Sequence, residues 1–325
     1  MKRVAVLGCG SIGTRHASNL LSLGHSIIAH DPSIEARTRF EQQVGSYCAG
    51  NIQQVWESKP DVCVIASTPE YHVDLAFQAA KAGCHLLIEK PVSHTLKNMS
   101  ELLDVVDENG VTGMVCCNMR FHPGILVVKR LVENQAVGHI VAARLHTGSF
   151  LPDWRPSTDY RRGHSVDGTR GGGALLECIH EIDMALWLFG AARLTGAATV
   201  ATHLELRNAE GLAELLLRHD SGVLSSLHLN FVQRDYRRFY EIIGEGGTIY
   251  WDFHSRDVVV KRGGSQVERI ATPDNWHMNQ MYVDELIYFF QCVDRQQRPF
   301  CTIEDGFSAL KIALQARSYP GPEVQ

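Results

Sequence analysis

The stretch KRVAVLGCGSIGTRH, residues 2–16, decides the fold of the first part of the chain. Its apolar run VAVL predicts a short buried strand. A G-x-G-x-x-G follows at once, formed by Gly8, Gly10 and Gly13, and residues 11–23 carry apolar side chains at helical spacing. A strand, a glycine turn and a helix in this order predict a dinucleotide-binding unit.

Each glycine of this turn has its own task. Gly8 permits the tight turn, Gly10 lets the backbone approach a pyrophosphate, and Gly13 lets the helix pack closely on the strand. The helix begins at Ser11 and Ile12, where free N–H groups and a partial positive charge can bind phosphates. We predict that these five residues bind the cofactor. The alternative, a glycine turn without a ligand, is disfavoured by the strand and helix that flank it.

An acidic residue follows the second predicted strand, SIIAH. Asp31 lies 18 residues beyond Gly13, close to the spacing of about 20 expected for a carboxylate that binds the adenine ribose. Such a carboxylate accepts both ribose hydroxyls and repels a 2′-phosphate, so the sequence predicts NAD and disfavours NADP. Arg37 and Arg39 keep NADP open, and Asp31 could instead simply begin a turn.

Short apolar strands alternate with helices over the rest of the first 120 residues. Strands are predicted at residues 62–67, 85–91 and 113–118, and helices at residues 73–82 and 96–108. This alternation predicts a parallel sheet covered on both faces, whose ligands bind at the carboxyl ends of the strands. The residues predicted to line the cofactor there are Ser67, Thr68, Pro69, His72, Glu89 and Lys90. His72 could equally serve only to start a helix.

The pattern changes after residue 120. A Pro-, Arg- and Gly-rich loop at residues 148–172 precedes a helix at residues 174–189. Consecutive strand-like segments then predict an antiparallel or mixed sheet. They lie near residue 204 and at residues 212–220, 222–231, 238–244, 247–253 and 257–262, and two helices follow at residues 279–293 and 304–317. The sequence thus predicts an α/β protein with a Rossmann domain at residues 1–120 and an α+β domain at residues 121–325.

Composition excludes several classes of function. The net charge of -5 and the pI of about 6.3 offer no basic face for nucleic acid. The nine cysteines are scattered without a CxxC pair, which predicts neither a metal site nor a disulfide framework and favours reduced thiols. The apolar run near the N-terminus is short and ends in glycines, so we expect no secretory core there, and no apolar run approaches the ~18 residues of a membrane span. We therefore predict a cytoplasmic protein.

Two groups of residues are candidates for chemistry. Lys90 ends a predicted strand on the ligand side of the sheet and can be aimed into a cleft, although the tripeptide alone favours a surface lysine. His180 and Glu181 lie three and four residues after Glu177 on one predicted helix, so each shares a face with Glu177 beside apolar side chains. Such a cluster can tune a pKa toward neutrality. A solvated acidic helix face is the alternative.

The loop LPDWRPSTDYRR, residues 151–162, is a candidate for substrate binding. Aromatic rings can pack on a sugar face, while arginine forks bind hydroxyls, carboxylates or phosphates. The residues predicted to contact substrate are Trp154, Arg155, Tyr160 and Arg161, together with Arg120 after the fifth strand. The density of arginines favours an anionic substrate such as a nucleotide sugar or sugar acid. The alternative is an interdomain or oligomer contact.

Six motifs together resemble one family. They are GCGSIGTRH from Gly8, STPEYH from Ser67, EKP from Glu89, NMRFHP from Asn118, GGGALLECIHEIDMALWLFG from Gly171, and TIEDGFSALKIALQA from Thr302. In this order they are similar to the glucose–fructose oxidoreductase/inositol dehydrogenase (Gfo/Idh/MocA) family along nearly the whole chain. The resemblance implies a Rossmann domain and a C-terminal domain with an open, largely antiparallel sheet. We expect the last helix to pack back on the first domain and the open sheet face to form a homodimer or homotetramer.

The resemblance also implies residue roles. Lys90 of EKP matches the catalytic lysine. The family often has an aspartate followed four residues later by a histidine, whereas this chain has Glu177 and, three residues later, His180. His180 is therefore the firmer catalytic prediction, and the contact of Glu177 with substrate stays open.

The predicted reaction is NAD-dependent oxidation of a secondary alcohol on a sugar or cyclic polyol. His180 acts as general base, and Lys90 stabilises charge on the same oxygen. Three alternatives stay open: an NAD-dependent glycoside hydrolase with transient redox chemistry, a dinucleotide-binding regulator, and a reductase of a non-sugar substrate.

Overall fold

A computed structural model describes residues 1–156 and 158–320. The chain forms two compact units. The first comprises Met1–Asn118 and Met278–Ser308, and the second comprises Met119–His277 and the residues from Ala309 onward. The prediction divided the chain once, near residue 120, whereas the structure groups a later segment with the first unit.

The first unit contains a five-stranded parallel sheet in the order β2-β1-β3-β4-β5. Its strands are β1 Arg3–Leu7, β2 Ser26–His30, β3 Val62–Ile65, β4 His85–Ile88 and β5 Gly113–Val115. Its helices up to this point are α1 Ser11–Ser22, α2 Ile34–Val44, α3 Ile52–Glu57, α4 His72–Lys81 and α5 Met99–Glu108. The predicted parallel sheet with connecting helices is confirmed.

The register of this sheet aligns the strand ends. Leu7 pairs with both His30 and Ile65, and Ile65 pairs with Ile88. The chain order reverses beside β1, because β2 lies on one side of it and β3 on the other. Ligands of doubly wound sheets bind outside the carboxyl ends at this switch point. The segments that follow β1, β2, β3 and β4 therefore meet at one edge.

The second unit contains an eight-stranded sheet in the order β13-β12-β11-β10-β6-β9-β8-β7. Its strands are β6 Ile140–Phe150, β7 Ala192–Val200, β8 Leu212–His219, β9 Leu224–Asn230, β10 Val232–Gly244, β11 Gly247–Asp252, β12 Asp257–Arg262 and β13 Val267–Ala271. The pair β6 and β9 is parallel and the other neighbours are antiparallel. The predicted open, largely antiparallel sheet is confirmed.

Each face of this sheet has a different environment. Along β8, Ala213, Leu215 and Leu217 are buried, whereas Glu214 and Leu216 alternate with them and are exposed. The helices α6 Pro123–Glu133, α7 Ala174–Glu177 and α8 His180–Phe189 contact strands of this sheet. The alternation along β8 is what a half-covered antiparallel sheet requires.

Two local predictions in the second unit are wrong. The helix predicted at residues 174–189 breaks after Glu177, because Cys178 leaves helical geometry at φ -97 and ψ 27. The segment near residue 204 is irregular, because the backbone of Arg207 bonds to Val166 and Gly168 of a loop rather than to the sheet. The neighbouring β7 is the strand instead.

Two helices complete the chain, α9 Asn279–Arg295 and α10 Ile303–Arg317. The amides of Asn19 on α1 and Asn279 on α9 exchange hydrogen bonds of 2.8 and 3.3 Å, which ties α9 to the first unit. The first turns of α10 also group with the first unit, while Arg317 near its end pairs with Glu210 of the second. None of the helices in the described residues is long and apolar enough to cross a membrane.

Candidate active site

The glycine turn lies at the carboxyl end of β1, against the residues that follow β3. Gly8 has φ +109, a left-handed value that favours glycine, and a Cβ there would overlap the carbonyl group of Ala66. A Cβ on Gly13 would overlap the carbonyl oxygen of Gly8. Packing of the turn against β3 and α1 therefore requires both glycines.

The surroundings of Gly10 fit a dinucleotide. A Cβ added to Gly10 would meet no heavy atom within 4 Å, so the space in front of its backbone is open. This space lies at the first residue of the twelve-residue helix α1, whose first N–H groups have no partner within the helix. An open cradle at a helix N-terminus is the arrangement that binds a pyrophosphate.

Asp31 stands beside this turn at the end of β2. One carboxylate oxygen accepts the Cys9 backbone N–H at 2.9 Å, and the other accepts the Ser33 N–H at 2.9 Å. Each oxygen keeps a further lone pair for a ribose hydroxyl. The guanidinium of Arg37 donates to the backbone carbonyl of Asp31 at 2.6 Å, so one of the two arginines that kept NADP open is bound to the same segment.

The other predicted cofactor residues follow β3 and β4. Ser67 and Thr68 are half-buried at the end of β3, and Pro69 begins a short 3-10 turn that leads to α4. Glu89 and Lys90 follow β4, and the Lys90–Pro91 peptide bond is cis. The structure therefore brings the glycine turn, Asp31 and these two segments to one edge of the sheet, as predicted for a cofactor site.

Glu89 and His72 contact protein groups rather than open space. Their exposed fractions are 6% and 1%. Burial disfavours the ionised form of Glu89, but a hydrogen bond from His16 and the nearby charges of His16 and Lys90 outweigh it and lower the pKa of the carboxyl below its usual value. Lys90 itself is half-buried. The lysine thus follows an ionised, buried carboxylate.

In the second unit, the helix break separates Glu177 from His180. Glu177 ends α7, while His180 is the first residue of α8 and is half-buried. The Ser165 hydroxyl donates to Glu177 Oε1 at 2.5 Å, and His164 Nε2 lies 3.0 Å from the same oxygen. Sequence reasoning missed His164 and Ser165, because they lie in an irregular loop without periodicity or spacing.

Two buried ion pairs hold α8. Glu181 Oε1 lies 2.7 Å from Arg238 Nε, and Asp183 Oδ2 accepts from Arg120 Nε at 2.9 Å. Burial raises the pKa of Glu181, with Arg238 opposing the rise. Arg120 is 2% exposed, so its predicted contact with substrate gives way to an internal pair with Asp183. Arg238 was missed because its partner is remote in sequence.

The predicted substrate loop carries exposed aromatic and basic side chains. Trp154 is 38% exposed; its indole N–H donates to Ser149 Oγ at 2.8 Å, and its ring meets Phe231 edge-on at 5.3 Å. Tyr160 is half-buried and Arg155 is exposed. Arg161 pairs with Asp159 at 2.8 Å and with Glu205 at 3.2 Å. Among these side chains, Trp154 offers the largest open aromatic surface.

Comparison with known proteins gives a consistent assignment. A family model described as an oxidoreductase family with an NAD-binding Rossmann fold matches residues 2–116, and a GFO/IDH/MocA C-terminal domain model matches residues 125–250. The chain is 27% identical to an uncharacterized oxidoreductase of Bacillus subtilis, YrbE, over 96% of this chain and 92% of that protein. It is 26% identical to myo-inositol 2-dehydrogenase of Thermotoga maritima, over 97% and 95%. A solved levoglucosan dehydrogenase, in complex with NADH and levoglucosan, shares the fold with a TM-score of 0.86 at 19% identity, over 97% of this chain and 96% of that one.

Proposed function

Because the chain belongs to the Gfo/Idh/MocA family of oxidoreductases, we propose that it oxidises a secondary alcohol of a sugar or cyclic polyol with NAD, or reduces the corresponding ketone with NADH. The observation that carries this proposal is the edge of the first sheet, where the open cradle at Gly10, the fixed carboxylate of Asp31 and Lys90 follow aligned strands. The bound nicotinamide supplies hydride transfer, and the protein supplies orientation.

The proposed reaction uses the two catalytic side chains that the family resemblance predicts. His180 accepts the proton of the reacting hydroxyl as general base. Lys90 hydrogen-bonds to the same oxygen and stabilises the negative charge that develops there. Glu177 has partners in the loop, Ser165 and His164, which supports a role in holding that loop rather than in touching the reacting atoms.

We favour an uncharged substrate over the anionic one suggested by the arginine density. Arg120 is buried against Asp183, and Arg161 pairs with Asp159 and Glu205. Their charges are therefore already balanced by carboxylates of the same unit. Trp154 retains an exposed ring that can pack on a sugar face. Similar proteins are named both for uncharged compounds, myo-inositol and levoglucosan, and for anionic ones, glucose 6-phosphate and UDP-N-acetylglucosamine, so the preference rests on the paired arginines.

We also propose a cytoplasmic homodimer. All nine cysteines lie in the described residues as buried, free thiols, which fits a reducing compartment. The uncovered sheet face presents apolar side chains, among them Val141 at 47% and Leu216 at 38% exposure, and such patches favour self-association. Light scattering on a sizing column tests this, with a dimer mass expected and a monomer mass contradicting it.

The experiment that tests the function is a thermal-shift titration with NAD, NADH, NADP and NADPH, each with and without a panel of sugars, cyclic polyols and nucleotide sugars. We expect stabilisation by NAD or NADH, a further shift with one uncharged polyol, and turnover of that compound. Stabilisation by NADPH alone would contradict the role of Asp31. Release of NAD from denatured protein, without net cofactor turnover, would favour the glycoside hydrolase instead.

A further inference from the structure

Two buried histidines of the first unit flank the lysine turn, which we define as residues 89–91. His16 on α1 is 0% exposed and His72 at the start of α4 is 1% exposed. Neither side chain has solvent as a partner, so the hydrogen bonds of both rings are made within the protein. Both rings reach the lysine turn, from different elements.

His16 acts on the turn through Glu89. The ring Nε2 lies 2.7 Å from Glu89 Oε1, and Glu89 Oε2 accepts the backbone N–H of Lys90 at 3.1 Å. A carboxylate cannot donate, so the proton of the first bond belongs to His16. The chain of contacts holds the backbone nitrogen of Lys90, which is bonded to the Cα that carries its side chain. A shift of the His16 ring would therefore displace the backbone of Lys90 through Glu89.

His72 acts on the other end of the turn. Its Nδ1 lies 2.9 Å from the carbonyl oxygen of Pro91, and its Nε2 lies 3.0 Å from the carbonyl oxygen of Ser67. Carbonyl oxygens only accept, so both bonds form together only when both ring nitrogens carry hydrogen. A neutral ring would place a lone pair against one of the two carbonyls. The geometry thus suits an imidazolium.

A buried histidine of the second unit shows the contrast. His219 is 2% exposed, and its ring contacts the carbonyl oxygen of Gly190 at 2.8 Å and the hydroxyl of Ser225 at 2.9 Å. A hydroxyl can donate, so a neutral ring satisfies both contacts. Burial lowers the pKa of His219. The two histidines are matched in burial, and the ring nitrogens of each lie near two oxygen atoms, but only those of His72 face two pure acceptors.

We propose that His16 and His72 are positioning residues for Lys90, and that His72 serves as an imidazolium joining the turn after β3 to the lysine turn. This inference rests on the proposed function, in which Lys90 hydrogen-bonds to the reacting oxygen. The ionised Glu89 provides negative charge within the same turn. Because about 1 Å of misplacement can cost ~100-fold in rate, small shifts of the turn are sufficient to lower turnover.

The test uses substitutions that keep or remove individual hydrogen bonds of the histidine rings. Gln places its amide nitrogen near the position of a histidine Nε2, and Asn places it near Nδ1. His16→Gln therefore keeps the bond to Glu89, whereas His16→Ala loses it. His72→Asn keeps the bond to Pro91 in the lysine turn, whereas His72→Gln keeps only the bond to Ser67. His219→Ala is the matched control for loss of a buried histidine.

We expect His16→Ala and His72→Gln to lower kcat by about 10- to 100-fold with little change in the KM for NAD, and to raise the isotope effect on kcat with a deuterated substrate. His16→Gln and His72→Asn should recover much of that loss. His219→Ala should lower the melting temperature without lowering kcat. If all five variants lose stability alone and keep wild-type kcat, the positioning role is wrong.

Nitrogen chemical shifts of labelled histidine, assigned by comparison with His72→Asn, test the charge of His72 without any turnover. Two protonated ring nitrogens at neutral pH are expected, and a neutral tautomer would overturn the imidazolium assignment. Wild-type protein that turns over no compound in the panel would contradict the proposed function instead, so the two failures are distinguishable.

Discussion

The two predicted catalytic side chains are held in place by different kinds of contact, which we call the first support, at Lys90, and the second support, at His180. Lys90 follows a buried strand, in a turn held by hydrogen bonds from His16 and His72. His180 begins a short helix whose first turn is held by two buried arginine–carboxylate pairs, Glu181 with Arg238 and Asp183 with Arg120. One support combines strand register with contacts from two histidines, and the other consists of two arginine–carboxylate pairs.

The difference shows which parts of a site a local motif can specify. The lysine turn follows from a parallel sheet whose strand ends align, so the position of EKP after a strand is sufficient to place it. The position of His180 depends on its neighbours Glu181 and Asp183, whose partners lie 57 and 63 residues away from them in the chain. Removing one partner of such an arginine–carboxylate pair leaves an uncompensated buried charge.

The largest expected effect is on turnover, when either predicted catalytic side chain is removed. We expect Lys90→Ala and His180→Ala each to lower kcat by roughly 10²- to 10⁴-fold, because each removes a group that acts on the reacting oxygen. NAD affinity, measured by thermal shift, should be largely unchanged. Lys261→Ala, on the exposed part of β12, is the control. Unchanged turnover of Lys90→Ala would remove that residue from the mechanism.

The second-largest expected effect is on the free energy of unfolding and concerns the buried ion pairs of the second support. Asp183→Asn should cost roughly 3–5 kcal/mol of unfolding free energy, because the Arg120 guanidinium then remains buried without its counter-charge. Urea denaturation measures this, and Arg120→Met combined with Asp183→Leu should recover much of the loss. Asp274→Asn breaks the exposed pair with Arg256 and is the control. Equal, small costs for both Asn variants would mean that the buried pair does not hold α8.

More of the site could be predicted from the sequence in the first unit than in the second. In the first, the glycine turn, Asp31 and the segments after β3 and β4 could be predicted because strand, turn and helix follow one another within short stretches. In the second, sequence periodicity predicted one helix for residues 174–189. It could not show the break at Cys178, since the contacts that orient α7 and α8 come from remote residues such as Glu210 and Arg238.

Acid should weaken the second support through His122, which lies two residues after Arg120. Burial against Trp251 and Trp276, together with the charge of Arg238, lowers the pKa of His122 from 6.5 to about 4. The folded protein therefore holds a neutral ring where the unfolded chain binds a proton. The stabilisation of the fold by this neutral ring is fully present above pH 6.5. As the pH falls toward 4, the free energy of unfolding decreases by up to about 3 kcal/mol.

The variant His122→Asn isolates this effect. His122 Nδ1 accepts the Gly124 N–H at 3.1 Å and caps α6, and an asparagine oxygen can take over that bond. The variant cannot titrate, so its urea midpoint should change less than the wild-type midpoint between pH 7 and pH 4.5. Identical pH dependence in both proteins would show that His122 does not couple to unfolding.

The smallest expected effect concerns charge pairs that are not buried. Arg161 is 51% exposed while it contacts Asp159 and Glu205, so Arg161→Ala should change the unfolding free energy by less than about 1 kcal/mol. If the ion pairs only shape the loop, kcat/KM for an uncharged polyol should also stay within about threefold of wild type, since the pairs are screened by water. Steady-state kinetics with one uncharged and one anionic sugar measures this, and Arg155→Ala is the comparison within the same loop. A large rise in KM confined to the anionic sugar would show that Arg161 binds the substrate. It would also favour the anionic substrate that the arginine density suggested.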